Sequence, residues 1–143
     1  MKEFRVTVEI AAPPERVWPA IRDVERWHEW TASITSIRRL DDGPLREGSR
    51  AVVQQPKLPS NTFEVTKLEA NRGFTWETKS AGLRGAGHHW IEPIDGGRAS
   101  RVTLGVDFSG LLAPIVALFY GALTQRYIEM EAAGLKSRVL KGC

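Results

Sequence analysis

Cysteine is almost missing from this chain: the one copy is Cys143, the last of 143 residues. No internal disulfide can form, and a reducing, cytoplasmic compartment is the expectation. Long hydrophobic runs are missing too. The longest, Leu111 to Leu123, covers about 13 residues where a bilayer span needs roughly 18–20, so it reads as a buried or interfacial helix. The start, Met1 to Ile10, lacks the apolar run and small-residue cleavage site of a signal peptide, and the mature protein is expected to begin at Met1. Charge of one sign is concentrated nowhere: 20 Lys+Arg stand against 17 Asp+Glu, with Arg38-Arg39 the densest basic pair. That pattern speaks against a nucleic-acid partner. There is no internal repeat, linker or low-complexity tract, no Gly-x-Ser-x-Gly elbow and no paired carboxylate on an inward strand face. The glycines of Gly82-Leu83-Arg84-Gly85-Ala86-Gly87 precede a strand, not a helix, so they make no phosphate loop.

What is present suits one globular domain over residues 1–143: 42% hydrophobic and 26% charged residues are ordinary values, and the length is that of a single core. Phe4, Val6, Val8 and Ile10 alternate with Arg5, Thr7 and Glu9, the period of a strand with one buried face. Pro13-Pro14 ends it and starts a short helix over about 14–22, in which Pro19 is expected to force a kink or an early stop. Residues 23–31 predict a second helical turn. Turn signals then divide the chain into strands at about 34–40, 49–55, 61–69, 73–80, 86–94 and 98–109. Short connections make these an antiparallel meander, seven strands with the first. From near Leu112 to about Leu140 the pattern is helical. Its first half is apolar on nearly every side and is expected to be the more enclosed. Arg126, Glu129, Glu131, Lys136 and Arg138 give the second half a polar face. The expected architecture is α+β, a curved sheet gripping the C-terminal helix while the two short helices close one end.

That order of elements resembles the helix-grip fold of the START and Bet v 1-like (SRPBCC) superfamily. Leu40-Asp41-Asp42-Gly43-Pro44-Leu45, Glu47-Gly48-Ser49-Arg50, Phe63-Glu64-Val65-Thr66-Lys67-Leu68-Glu69, Phe74-Thr75-Trp76, His89-Trp90-Ile91-Glu92-Pro93, Arg101-Val102-Thr103-Leu104 and Ser109-Gly110-Leu111-Leu112-Ala113-Pro114 are similar to its polyketide cyclase/dehydrase branch. The resemblance covers Val6 to Leu140 and is more specific for fold than for function. It implies an elongated apolar cavity between sheet and helix for a lipid, a polyketide or an aromatic metabolite, with catalysis in only some members. No cofactor is expected.

Within that frame, Trp27, Trp30, Phe63, Trp76, Phe119 and Tyr120 are candidate walls for a ring-shaped ligand or plain core, and Trp18 is helix–sheet packing. Leu112, Val116, Phe119 and Leu123 have the spacing to line one side of a cavity, or of a filled core. His88 and His89 point to opposite faces of one strand, so they cannot chelate a metal together, and no metal is expected. Glu92 shares a face with His88 and is costly to bury, which turns His89 and Ile91 inward. His89 is then a candidate acid/base titrating near neutrality, or a core histidine bonded to a neighbour. Gln55 and Tyr120 can orient a ligand carbonyl. Arg84 is placed in the loop 81–87, as a carboxylate binder or an exposed charge. Cyclases of this kind are expected to carry an interior arginine, and none is assigned here. Binding of a small hydrophobic ligand is therefore preferred to cyclisation or dehydration with His89. A third class, a membrane-surface lipid shuttle, rests on the apolar start of the terminal helix. A monomer or weak dimer with no integral membrane segment is expected.

Overall fold

A computed structural model of the chain describes residues 2–141, so the expectation about Cys143 lies outside the described residues. The first strand, β1 (Lys2–Ile10), runs into α1 (Pro14–Arg22) and then a 3-10 segment, Val24–Glu29. Six strands follow: β2 (Ser36–Arg39), β3 (Arg50–Gln54), β4 (Asn61–Glu69), β5 (Gly73–Ser80), β6 (Leu83–Ile94) and β7 (Ala99–Ser109). The 29-residue α2 (Ala113–Lys141) closes the chain. All seven strands form one antiparallel sheet in the order β1-β7-β6-β5-β4-β3-β2, and α2 lies across β1 and β7. This is the helix-grip architecture that the alternation and the turns predict.

Three local expectations give way. Pro19 leaves α1 unbroken through Arg22, because one missing hydrogen bond is offset by burying Val17, Trp18 and Ile21. β6 begins at Leu83 rather than near 86, so Arg84 sits on a strand. The glycines that suggested a loop serve close packing instead: a Cβ at Gly87 would stand 2.9 Å from the Trp76 indole nitrogen. Arg84 points away from the interior and pairs with Glu77 at 2.8 Å, which removes it as a carboxylate binder within the cavity.

The expectation for α2 is reversed. Its first half carries the exposed Leu111 just ahead of it, then Ile115, Leu118 and Phe119, while its second half buries Tyr127, Ile128, Glu131, Ala132, Leu135 and Val139. The packed core thus sits at one end of the sheet, where Ile10, Val17, Ile21, Val24, Phe74, Val102 and Leu135 are sealed from solvent. Each such side chain contributes about 1.5–3 kcal/mol by leaving water. At the other end β7 presents the half-buried Val106 and Phe108, and the space beneath α2 stays open. A bulge between Val65 and Lys67 interrupts the pairing of β4 with β5.

The candidate cavity

Gly73 starts β5 at φ 138°, with the His89 carbonyl oxygen 1.9 Å from where a Cβ would lie, so only glycine lets β5 close on β6 at this point. That closure sets Phe74 against the His89 ring, with centroids 4.5 Å apart. The pleat sends Phe74, Trp76 and His89 inward and Thr75, Glu77 and His88 outward. Outside, His88 Nε2 lies 2.7 Å from Asp107 Oδ2, Nδ1 lies 2.9 Å from Thr75 Oγ1, and Trp90 donates to that hydroxyl. Inside, Trp27 from the 3-10 segment packs on Trp76 at 5.6 Å and edge-on to His89 at 5.0 Å, and Phe63 of β4 covers Trp76 at 5.3 Å.

These rings wall a cavity of about 370 Å³ between the sheet and α2. Its floor is formed by the buried Trp27, Ile34, Val53, Trp76, His89 and Glu131, and its rim by the exposed Pro59, Asn61, Ser80 and Tyr120. The volume lies within the ~300–1,000 Å³ usual for small-molecule sites, and the walls are mainly apolar.

Of the residues singled out in the sequence, Trp27, Gln55, Phe63, Trp76, His89, Val116 and Tyr120 line this space. Gln55 donates through Nε2 to the Ser33 carbonyl at 3.3 Å. Trp30 does not line it: that ring lies over the backbone of Gly134 and borders a separate, more polar hollow with Arg16 and Arg138. Leu112, Phe119 and Leu123 also stand outside the wall. α2 turns a different stripe inward, Val116, Tyr120, Thr124, Tyr127, Ile128 and Glu131, and leaves Phe119 73% exposed. An all-apolar turn of helix carries no phase, so its local spacing could not choose between the two stripes.

His89 needs a chemical correction as well. Its Nδ1 lies 3.2 Å from the Phe74 carbonyl, which only accepts, so Nδ1 carries the hydrogen and Nε2 is a lone-pair acceptor. Full burial lowers its pKa to about 3, chiefly by desolvating the charged form. His89 is therefore neutral at physiological pH and does not titrate near 7.

Sequence reading missed Glu131, which falls among charged residues. Continuing the buried stripe back from Leu135 by one turn would have found it. Thr31 Oγ1 and Ser33 Oγ lie 2.7 Å apart, and Ser33 Oγ reaches Glu131 Oε2 at 3.0 Å. Burial raises the carboxyl to about 7, only partly countered by the Ser33 hydrogen bond. Tyr127, also missed, donates its hydroxyl to the Pro56 carbonyl and ties the loop after β3 to α2. Among the described lining residues the titratable groups are His89, Tyr120, Tyr127 and Glu131, with no lysine or arginine.

A curved sheet holding a long helix over a mostly apolar, aromatic-walled cavity defines a helix-grip protein of the Bet v 1-like kind. The chain belongs to the family described as polyketide cyclase/dehydrase and lipid transport, whose model matches residues 1–140. Solved structures share the fold. A Thermus thermophilus protein aligns with TM-score 0.78 at 20% identity over 98% of both chains. The Zhui aromatase/cyclase from Streptomyces aligns with TM-score 0.78 at 15% identity over 98% of this chain and 94% of that one. A START superfamily protein from Mycobacterium smegmatis aligns with TM-score 0.74 at 18% identity over 97% of each. No curated protein matches the sequence. Among the described residues no helix is long and apolar enough to cross a membrane.

Proposed function

We propose that this chain acts as one binding unit that encloses a small, largely apolar ligand between its sheet and α2. The cavity itself carries this reading: about 370 Å³ of space walled by Trp27, Phe63, Trp76 and Phe108, with a few polar groups at fixed places. A filled core would have closed that volume, since interiors pack to near-crystalline density. Affinity comes from burying apolar ligand surface, and Gln55, His89 Nε2 and Tyr120 select its polar substituents. The family and its cyclase and START neighbours agree with such a ligand. Catalysis is not required by this reading, and His89, neutral at physiological pH, is not the acid/base titrating near 7 that the sequence suggested.

The test is native mass spectrometry of freshly purified protein, followed by solvent extraction and by titration with apolar fluorescent probes. A stoichiometric apolar compound, or saturable probe uptake, is the expected result. An empty protein that also refuses every probe would overturn the reading.

A second reading, exchange of the ligand with a membrane surface, is favoured by one observation. Leu111, Ile115, Leu118 and Phe119 form an exposed stripe beside the cavity residues Val116 and Tyr120. The segment 55–63 at the mouth carries Lys57 and no acid, and the segment 108–125 carries no charge. An apolar stripe with a cation nearby in the mouth segments suits an anionic bilayer.

A further inference from the structure

An apolar ligand explains every wall of the cavity except Glu131. A buried carboxyl is costly unless something pairs with it, and packing alone would be served as well by leucine or glutamine. When Glu131 is ionised, Ser33 Oγ donates its one hydrogen to Glu131 Oε2 at 3.0 Å and so accepts from Thr31 Oγ1 at 2.7 Å, while Thr31 Oγ1 accepts from the Ser33 backbone N–H at 3.3 Å. This relay delivers a donor to the glutamate, which is what a carboxylate needs. Ser33 holds the Glu131 carboxyl through Oε2, on a side chain that lines the cavity. No lysine or arginine lines the space, so the protein supplies no cation of its own. The electron-rich rings of Trp27, Trp76 and Phe63 line the same cavity.

We propose that the ligand of this cavity is a lipophilic amine, whose protonated nitrogen pairs with Glu131 while its apolar body lies against Trp27 and Trp76. This rests on the ligand-binding reading above. Aromatic faces favour an organic cation, and the carboxylate neutralises it in a site that solvates charge poorly. The same walls reject a carboxylate or phosphate, which would meet Glu131 with no compensating cation. The proton balance is defined. Burial holds Glu131 near 7, and a cation pairs only with its ionised form, so the proton held by the empty site leaves to solvent as the amine enters. The other titratable groups lining the cavity are His89 on β6 and Tyr120 and Tyr127 on α2; His89 stays neutral across the range used.

The experiment compares naphthylethylamine, naphthylethanol and naphthylacetate by calorimetry and by quenching of tryptophan fluorescence, on the full chain and on Glu131→Gln. At pH 8 the amine binds about tenfold or more tighter than the alcohol, and the carboxylate is weakest. Between pH 6 and 8 the wild-type affinity for the amine rises about tenfold while that for the alcohol stays level. Glu131→Gln erases the advantage of the amine over the alcohol. The pH profile needs no variant, so a poorly folding Glu131→Gln does not remove the test. An alcohol that binds as well as the amine, or an amine preference that survives in Glu131→Gln, overturns this proposal and leaves the cavity reading standing. If none of the three binds, this proposal falls, and the cavity reading is decided separately by the native mass spectrum and the apolar probes.

Discussion

Ser33 and Glu131 stand 98 positions apart and meet across the cavity floor, the serine Oγ 3.0 Å from the glutamate Oε2. One partner follows the 3-10 segment and the other sits two-thirds of the way along α2, so this bond joins the cap of the sheet to the helix it grips. It also places the one inward-facing carboxyl of the cavity lining beside a polar relay, in a space otherwise built from rings and aliphatic groups.

Two buried groups should give this protein an unusual stability profile. Glu131 is held near 7 against an ordinary 4.5, so the folded state keeps a proton that the unfolded chain releases. Its contribution is complete below about 4.5 and is lost as pH rises through 7. His89 is held near 3 against 6.5, so its contribution is complete above about 6.5 and is lost as pH falls toward 3. Between about 4.5 and 6.5 the slopes oppose each other at about 1.4 kcal/mol per pH unit each, and urea midpoints of the wild type should stay nearly level. Glu131→Gln should then show stability rising with pH across that window by about 2–3 kcal/mol, and His89→Gln should show it falling. A Glu131→Gln profile as level as the wild type would falsify the assignment of both shifts.

Gly134 brings α2 against the chain at Trp30: a Cβ there would lie 1.9 Å from the Trp30 carbonyl oxygen. Alanine usually improves a helix interior by ~1 kcal/mol over glycine. Here the clash should reverse the sign, and Gly134→Ala is expected to lose about 2 kcal/mol by overpacking. Calorimetry decides it, since a raised melting temperature would mean that α2 and Trp30 do not approach so closely.

Val116 lines the cavity from α2 and is only half-buried, so a larger side chain can enter the empty space without displacing the core. Val116→Trp should reduce uptake of an apolar fluorescent probe by more than about tenfold and move the melting temperature little. Unchanged uptake would place the ligand elsewhere.

Leu118 and Phe119 are 79% and 73% exposed, and aspartate at both should cost no more than about 0.5 kcal/mol in folding stability. If the stripe meets a bilayer, the double variant should lose sedimentation with anionic vesicles that the wild type shows, and Lys57→Glu should weaken it. Wild-type protein that never sediments with such vesicles removes the membrane reading.

The fold was legible wherever one side chain type repeats at one period. Phe74, Trp76 and Thr78 against Thr75, Glu77 and Lys79 mark β5 and its inner face, and Pro14 marks the first turn of α1. His89 was legible as the inward histidine because Glu92, which shares the face of His88, had to face water. The start of β6 was not, since glycines read as a loop until the Trp76 ring is seen to need their room. Nor was the facing of α2. Its first half has no polar side to point outward, and in its second half Glu131 looks like one more solvated charge.

By itself the sequence determined the order of elements, the seven-strand sheet and which strand faces turn inward, because those follow from periodicity, turns and the cost of burying charge along a local stretch. Only the tertiary structure decided which stripe of α2 closes the cavity, that Trp30 stays out of it and that Glu131 goes in. Those outcomes depend on how closely the helix approaches Phe4 of the sheet at Gly121 and the chain after the 3-10 segment, at Trp30, through Gly134, and those distances are set by atoms remote in the chain.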